Sequence, residues 1–151
     1  MDRFRALEII NELFVSADER NWERIVEIFD SSVLLDYSSM NGGEPVNLSG
    51  LQIIELWKRF LPGFDCTHHQ ISNFLFKLND GILEASCYCT ATHYLKNESG
   101  NNVWTVVCSY NFELKKVDNS LRISKMKLNL KYMDGNMSLV EMATKRAAEK
   151  K

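Results

Sequence analysis

Ile82-Leu83-Glu84-Ala85-Ser86-Cys87-Tyr88-Cys89-Thr90-Ala91-Thr92-His93-Tyr94-Leu95 is the stretch that decides the fold. Leu83, Ala85, Cys87, Cys89, Ala91 and His93 fall on one face, and Glu84, Ser86, Tyr88, Thr90, Thr92 and Tyr94 on the other. That period of two belongs to a strand with one buried side. The strand is about twice the usual ~5–6 residues, so its sheet must twist and curl. Just upstream, Asn79-Asp80-Gly81 is a hairpin signal, which makes Thr67 to Leu78 the antiparallel neighbour. Downstream, turns at 97–101 and 118–120 lead to strands over Val103 to Lys115 and Leu121 to Tyr132. In the last strand the apolar parity slips between Ile123 and Met126, which predicts a bulge near Ser124-Lys125. In the strand before it, Trp104, Val106, Cys108, Tyr110, Phe112 and Leu114 form the apolar face, leaving Ser109 and Asn111 on the other.

Upstream of residue 64 the period is helical. Asp2 caps a first helix with Phe4, Leu7, Ile10, Leu13 and Phe14 in one stripe. Asp18-Glu19-Arg20-Asn21 breaks it, with Asp18 also placed to cap a second helix holding Trp22, Ile25, Val26, Ile28 and Phe29. Val33-Leu34-Leu35 reads as a short strand ending at Asp36-Tyr37, and Ser38 to Leu48 as a loop. Ser49 caps a third helix whose inward residues are Leu51, Ile54, Leu56, Trp57, Phe60 and Leu61, stopped by Pro62-Gly63. The expected class is α+β, three N-terminal helices packed on a curved antiparallel sheet to make a cone with a pocket. Residues 1–137 form that domain, and 138–151 a helical or frayed tail.

Composition narrows the function classes. With 45% hydrophobic and 25% charged residues in 151, the chain is one globular domain. A formal charge of -2 argues against a nucleic-acid binder, and no apolar run reaches the ~20 residues of a membrane span. The first residues lack a secretory pattern, so the expected location is the cytoplasm. The spacing of Cys66, Cys87, Cys89 and Cys108 matches no common zinc motif, and they read as buried free thiols.

The informative polar residues are the histidines. His93 ends the small apolar row of its strand, where an imidazole must find a partner. His69 lies inward on the neighbouring strand, and the turn near residue 80 sets it opposite roughly position 92. The two rings are thus expected within reach of one bound molecule, where imidazoles transfer protons near neutral pH. Asp18, Asp36 and Tyr37 are the candidates to fix their tautomer and charge. His68 points the other way, which disfavours a metal site built from His68, His69, His93 and a cysteine. The inward Trp57, Cys89 and Tyr110, with Asn111, are candidate ligand contacts.

These residues in this order resemble the SnoaL-like branch of the nuclear transport factor 2-like superfamily, and within it the scytalone dehydratases. The resemblance covers about residues 5–133. It rests on Ala17-Asp18 before Trp22, on Leu35-Asp36-Tyr37, Thr67-His68-His69 and His93, and on Ser109-Tyr110-Asn111 before Lys115-Lys116. It implies a cone-shaped, cystatin-like fold and elimination of water from a β-hydroxy ketone without metal or organic cofactor. His69 and His93 would flank the leaving hydroxyl and the proton removed, and Asp18 would hydrogen-bond His93. Tyr37 would polarise the carbonyl and Asn111 would orient the substrate. Ala17 stands where the family enzyme has a second tyrosine.

Three readings follow: a cofactor-independent lyase or isomerase acting on a small cyclic ketone, a non-catalytic binding or assembly module of the same fold, and a ketosteroid-isomerase-like reaction with Asp36 as base. The Tyr- and Thr-bearing outer face of the sheet suggests a homodimer or homotrimer. The tail could also fold over the mouth of the cone as a lid.

Overall fold

The computed structural model describes residues 2–150. Helix α1 (Arg3–Glu19) starts at Asp2, whose side chain accepts from the Phe4 amide. Its buried stripe is Ala6, Ile9, Ile10, Leu13, Phe14 and Ala17, while Phe4 is 68% exposed, so the stripe is rotated from the one expected. The chain turns at Arg20, and Asn21, not Asp18, caps α2 (Trp22–Ile28) through the Arg24 amide.

Strand β1 (Phe29–Asp36) is longer than expected and runs parallel to the last strand, with Phe29 beside Ile123 and Leu35 beside Met126. The segment read as a loop holds a short helix, α3 (Ser38–Asn41), and an edge strand, β2 (Val46–Leu48), paired with β1. Ser49 and Gln52 form a reciprocal capping box on α4 (Gly50–Lys58). Ile53, Ile54 and Trp57 of that helix are buried, whereas Leu51 is 64% exposed. A 3₁₀ turn over Leu61–Gly63 ends this half.

Four long antiparallel strands follow: β3 (Cys66–Asn79), β4 (Ile82–Tyr94), β5 (Val103–Val117) and β6 (Ser120–Gly135). The curved, unclosed sheet has the order β2-β1-β6-β5-β4-β3. At the β3–β4 turn both Asp80 and Gly81 have positive φ, the conformation of the tight hairpin turn their sequence announces. Ser124 is the extra residue where β6 slips against β5, as the parity break predicts.

A bulge in β3 was not expected. Asn73 takes a left-handed φ of 57°, and the register against β4 shifts between Ser72 and Leu75. Beyond it the faces exchange: Phe74 and Phe76 pack on the core and Leu75 is 72% exposed, the reverse of simple alternation.

Residues 139–149 form α5 (Leu139–Glu149), which packs on the 3₁₀ turn through buried Leu139, Ala143 and Ala147. All four cysteines are free; Cys66 is exposed because it opens β3 on the outer face, and the other three are buried. No helix among the described residues is long and apolar enough to cross a membrane.

Candidate active site

The end of α1, the start of β3 and the end of β4 meet at one polar cluster inside the cone. Asp18 sits in the last turn of α1 and His69 opposite Ala91 on β3, with His93 two places along β4 opposite Thr67. The two imidazole rings therefore stand as diagonal neighbours, 6.1 Å apart and nearly perpendicular. They share a cavity of about 70 Å³ with Phe14, Tyr37, Trp57, Trp104, Cys108 and Tyr110.

Asp18 pairs with His69. Its Oδ1 lies 2.7 Å from His69 Nδ1 and its Oδ2 accepts the His69 backbone amide at 2.8 Å. Thr67 Oγ1 donates to Oδ1 at 3.0 Å. Burial works to raise the Asp18 carboxyl, but these bonds and the His69 charge outweigh it and hold the group below the usual carboxylate range. A carboxylate can only accept, so His69 Nδ1 carries a proton and Nε2 is left for chemistry. The expected Asp18–His93 bond is thus replaced, because the β3 start, not the β4 end, lies against the end of α1.

His93 has a different environment. Its Nδ1 is 3.2 Å from the Trp104 carbonyl, which fixes the proton on Nδ1 and leaves Nε2 a bare acceptor. Its ring lies 4.3 Å from Trp104 and 5.1 Å from Phe64. Burial, then the neighbouring His69 charge, pushes its pKa down to about 4. His93 is therefore neutral at physiological pH and is no general acid there.

A stability effect follows from His93. The unfolded chain protonates this histidine near pH 6.5 and the folded chain near 4. Stability is fully present above pH 6.5 and falls as the pH drops toward 4, by up to about 3 kcal/mol. Urea melts at pH 7.5 and 4.5 should show that slope in the native protein and a shallower one in His93→Gln. Equal slopes would refute the assignment.

On the far wall, burial holds the Tyr37 and Tyr110 phenols well above their ordinary pKa, so both remain protonated donors. Trp57 and Tyr110 both approach the Tyr37 hydroxyl. Trp104 Nε1 is a buried donor with no acceptor among the described residues.

The sequence pattern of the SnoaL-like domain matches residues 2–127. The chain belongs to the SnoaL-like family. The fold is that of the nuclear transport factor 2-like cones, as solved structures confirm. The protein Kfla4162 from Kribbella flavida superposes with a TM-score of 0.84 at 20% identity, over 93% of this chain and 97% of its own. A type 2 hexachlorocyclohexane dehydrochlorinase, LinA, gives 0.74 at 15% identity, over 89% and 88%. A provisionally assigned scytalone dehydratase from Novosphingobium aromaticivorans gives 0.72 at 15%, over 87% and 85%. No curated protein sequence matches the chain.

Within this SnoaL-like cone, the structure sorts the remaining candidates. Trp57 and Tyr110 line the cavity, and Cys89 lies buried beside it, directly opposite Cys108, whose thiol faces the space. Asn111 is on the outer face, where its Oδ1 accepts from Asn129 at 2.7 Å. The extra residues between β5 and β6 fall on β6, so nothing re-aims Asn111 inward. Asp36 is not a solvated strand end: it is buried, takes the Ser38 amide and hydroxyl at 3.0 and 2.6 Å, and lies near Lys127. Those Ser38 bonds lower its pKa and occupy it away from the cavity, which removes the Asp36-as-base reading. Among the described residues no three His, Cys, Asp or Glu side chains gather as metal ligands.

Two participants escaped the sequence. Thr67 shares the parity of His69, a signal that was available. Arg20, whose guanidinium donates to Thr67 Oγ1 at 2.7 Å, gave none, because its place depends on a left-handed turn (φ 61°).

Proposed function

We propose that this chain is a cofactor-independent lyase that eliminates water from a small cyclic β-hydroxy ketone, with His69 as the base. The observation that carries the reading is the 2.7 Å His69–Asp18 bond, which leaves Nε2 of a carboxylate-backed imidazole at the cavity. The relatives of this fold named as a dehydrochlorinase and a scytalone dehydratase support an elimination, since both names describe loss of a small group from a carbon framework.

His69 Nε2 takes the proton from the carbon next to the carbonyl, and the C–H electron pair moves to give an enolate. Tyr37 and Tyr110 donate to the enolate oxygen from a water-poor wall. Tyr110, from β5, supplies the second hydroxyl that Ala17 does not. The enolate then expels the β-hydroxyl, which leaves as water with the proton from the His69 imidazolium, and an enone remains. Neutral His93 accepts from the leaving hydroxyl through Nε2, and the Trp104 indole N–H is available to its oxygen. Return of the proton to a different carbon of the same enolate would make the chain an isomerase. A homodimer or homotrimer through the outer sheet face fits this reading, with Tyr88 and Tyr132 both more than half exposed there.

The small cavity favours a compact ring and also supports a second reading, a binding module without chemistry. Incubation with a β-hydroxycyclohexanone, followed by absorbance of the enone, separates the two. The lyase reading expects enone above the buffer rate, lost in His69→Gln. A saturable binding isotherm for cyclohexanone with no enone after long incubation would favour the binding module.

A further inference from the structure

We propose that Arg20 is a positioning residue that sets the pH at which the His69–Asp18 pair accepts a proton. The inference rests on the assignment of His69 as the base, and its test includes a measurement that does not require turnover.

Arg20 occupies the left-handed position that closes α1, a place ordinarily given to glycine. Its guanidinium is turned inward and is held by four acceptors. Nη1 donates to the Ala17 carbonyl at 2.6 Å, the Asp18 carbonyl at 3.3 Å and Thr67 Oγ1 at 2.7 Å, and Nη2 donates to the Leu61 carbonyl at 2.7 Å. None of these is a carboxylate, so among the described residues the cation has no direct ion-pair partner. The carboxylate it reaches is Asp18, through one intervening hydroxyl.

That hydroxyl has a fixed direction. Thr67 Oγ1 accepts from Arg20, and its single proton then goes to Asp18 Oδ1 at 3.0 Å. Arg20 donates to Thr67, Thr67 donates to Asp18, and the His69 imidazole donates to the same carboxylate from the other side. A permanent cation behind the carboxylate does two things. It stabilises the Asp18 anion, and it opposes a second positive charge on His69.

The other groups facing His69 do not supply this charge. His93 on β4 is neutral, Tyr37 and the Tyr110 phenol on β5 keep their protons, and Cys108 is a buried thiol paired with Cys89. Cys66 lies beside Arg20 on the exposed end of β3.

A unit charge two hydrogen bonds behind the carboxylate changes proton affinity by about tenfold at the effective dielectric of a part-buried site. The test follows the His69 ring by NMR through a pH titration, alongside kcat/KM against pH for a β-hydroxycyclohexanone. In Arg20→Gln the His69 midpoint should rise by about one pH unit. The acid limb of the rate profile should move with it, so activity is lost below neutrality and recovered at higher pH. Arg20→Lys, which keeps the charge, should restore most of the native midpoint. Thr67→Val should raise it by a smaller amount, and decides the matter if Arg20→Gln does not fold. An unmoved His69 midpoint in the folded variants, or a loss of rate by the same factor at every pH, overturns the proposal. A midpoint that moves in the variants while the native protein shows no turnover upholds it and instead overturns the assignment of His69 as a catalytic base.

Discussion

Replacing His69 by glutamine will lower the elimination rate by about 10³-fold and leave the melting temperature close to native. The two halves of that expectation have separate causes. Rate is lost because Nε2 of His69 is the proton acceptor and the glutamine amide has no comparable basicity. Stability is kept because the amide nitrogen can still donate to Asp18, which otherwise would be a part-buried carboxylate short of one donor. Alanine would confuse the two effects, since it also leaves a gap against the Phe14 ring, 5.2 Å away. Asp18→Asn tests the same pair from the other side: an amide in place of the carboxylate can present a donor to Nδ1 and turn the imidazole to the wrong tautomer, so the rate falls although the ring remains. A His69→Gln protein with unchanged turnover would remove the base from the mechanism.

The largest effect on stability lies outside the polar cluster, at Gly63. A Cβ placed there would overlap the Ala143 carbonyl oxygen and stand 2.7 Å from the Ala143 Cα. Both contacts are with the backbone of α5, so no rotamer change relieves them, and the helix must leave its seat. It would expose Leu139 and loosen Arg146–Asp65 at 2.6 Å and Lys150 to the Pro62 carbonyl at 2.9 Å. Gly63→Ala should therefore cost about 2–4 kcal/mol in urea unfolding. Shortening the partner, as in Ala143→Gly, should give no rescue, because the clash is with main-chain atoms. A Gly63→Ala protein of native stability would mean that α5 does not rest on the 3₁₀ turn. The site would feel the change too, since Leu61 in the same turn lines the cavity and its carbonyl holds Arg20.

Where the sequence was readable, the reason is local. Asn79-Asp80-Gly81 can form its turn whatever surrounds it, and that turn sets β3 against β4. The parity break at Ser124 is likewise written in neighbouring residues. The turn brings His69 and His93 to neighbouring strands, one residue from the register that counting from residue 80 gives. What could not be read depends on distant partners. A bulge at Asn73 is invisible in a sequence where Ile71, Asn73 and Leu75 alternate cleanly, and it exchanges the two faces of half a strand. The parallel pairing of β1 with β6 joins residues about ninety positions apart, and no local period reports it. Asp18 could serve a helix cap, His93 or His69, and only the packing of α1 on β3 chooses. Arg20 reads as a solvated charge in a polar break until the backbone turns left-handed and brings it inward.

In the proposed elimination His69 removes a proton from carbon, and that step can be isolated. It is tested most directly by incubating the native protein and His69→Gln with cyclohexanone in D₂O and following loss of the proton signal beside the carbonyl by NMR. This ligand has no leaving group, so exchange reports the first step alone. Exchange is expected well above the buffer rate in the native protein, and at the buffer rate in His69→Gln. Equal exchange in both, or none in the native protein while cyclohexanone is bound, would contradict it.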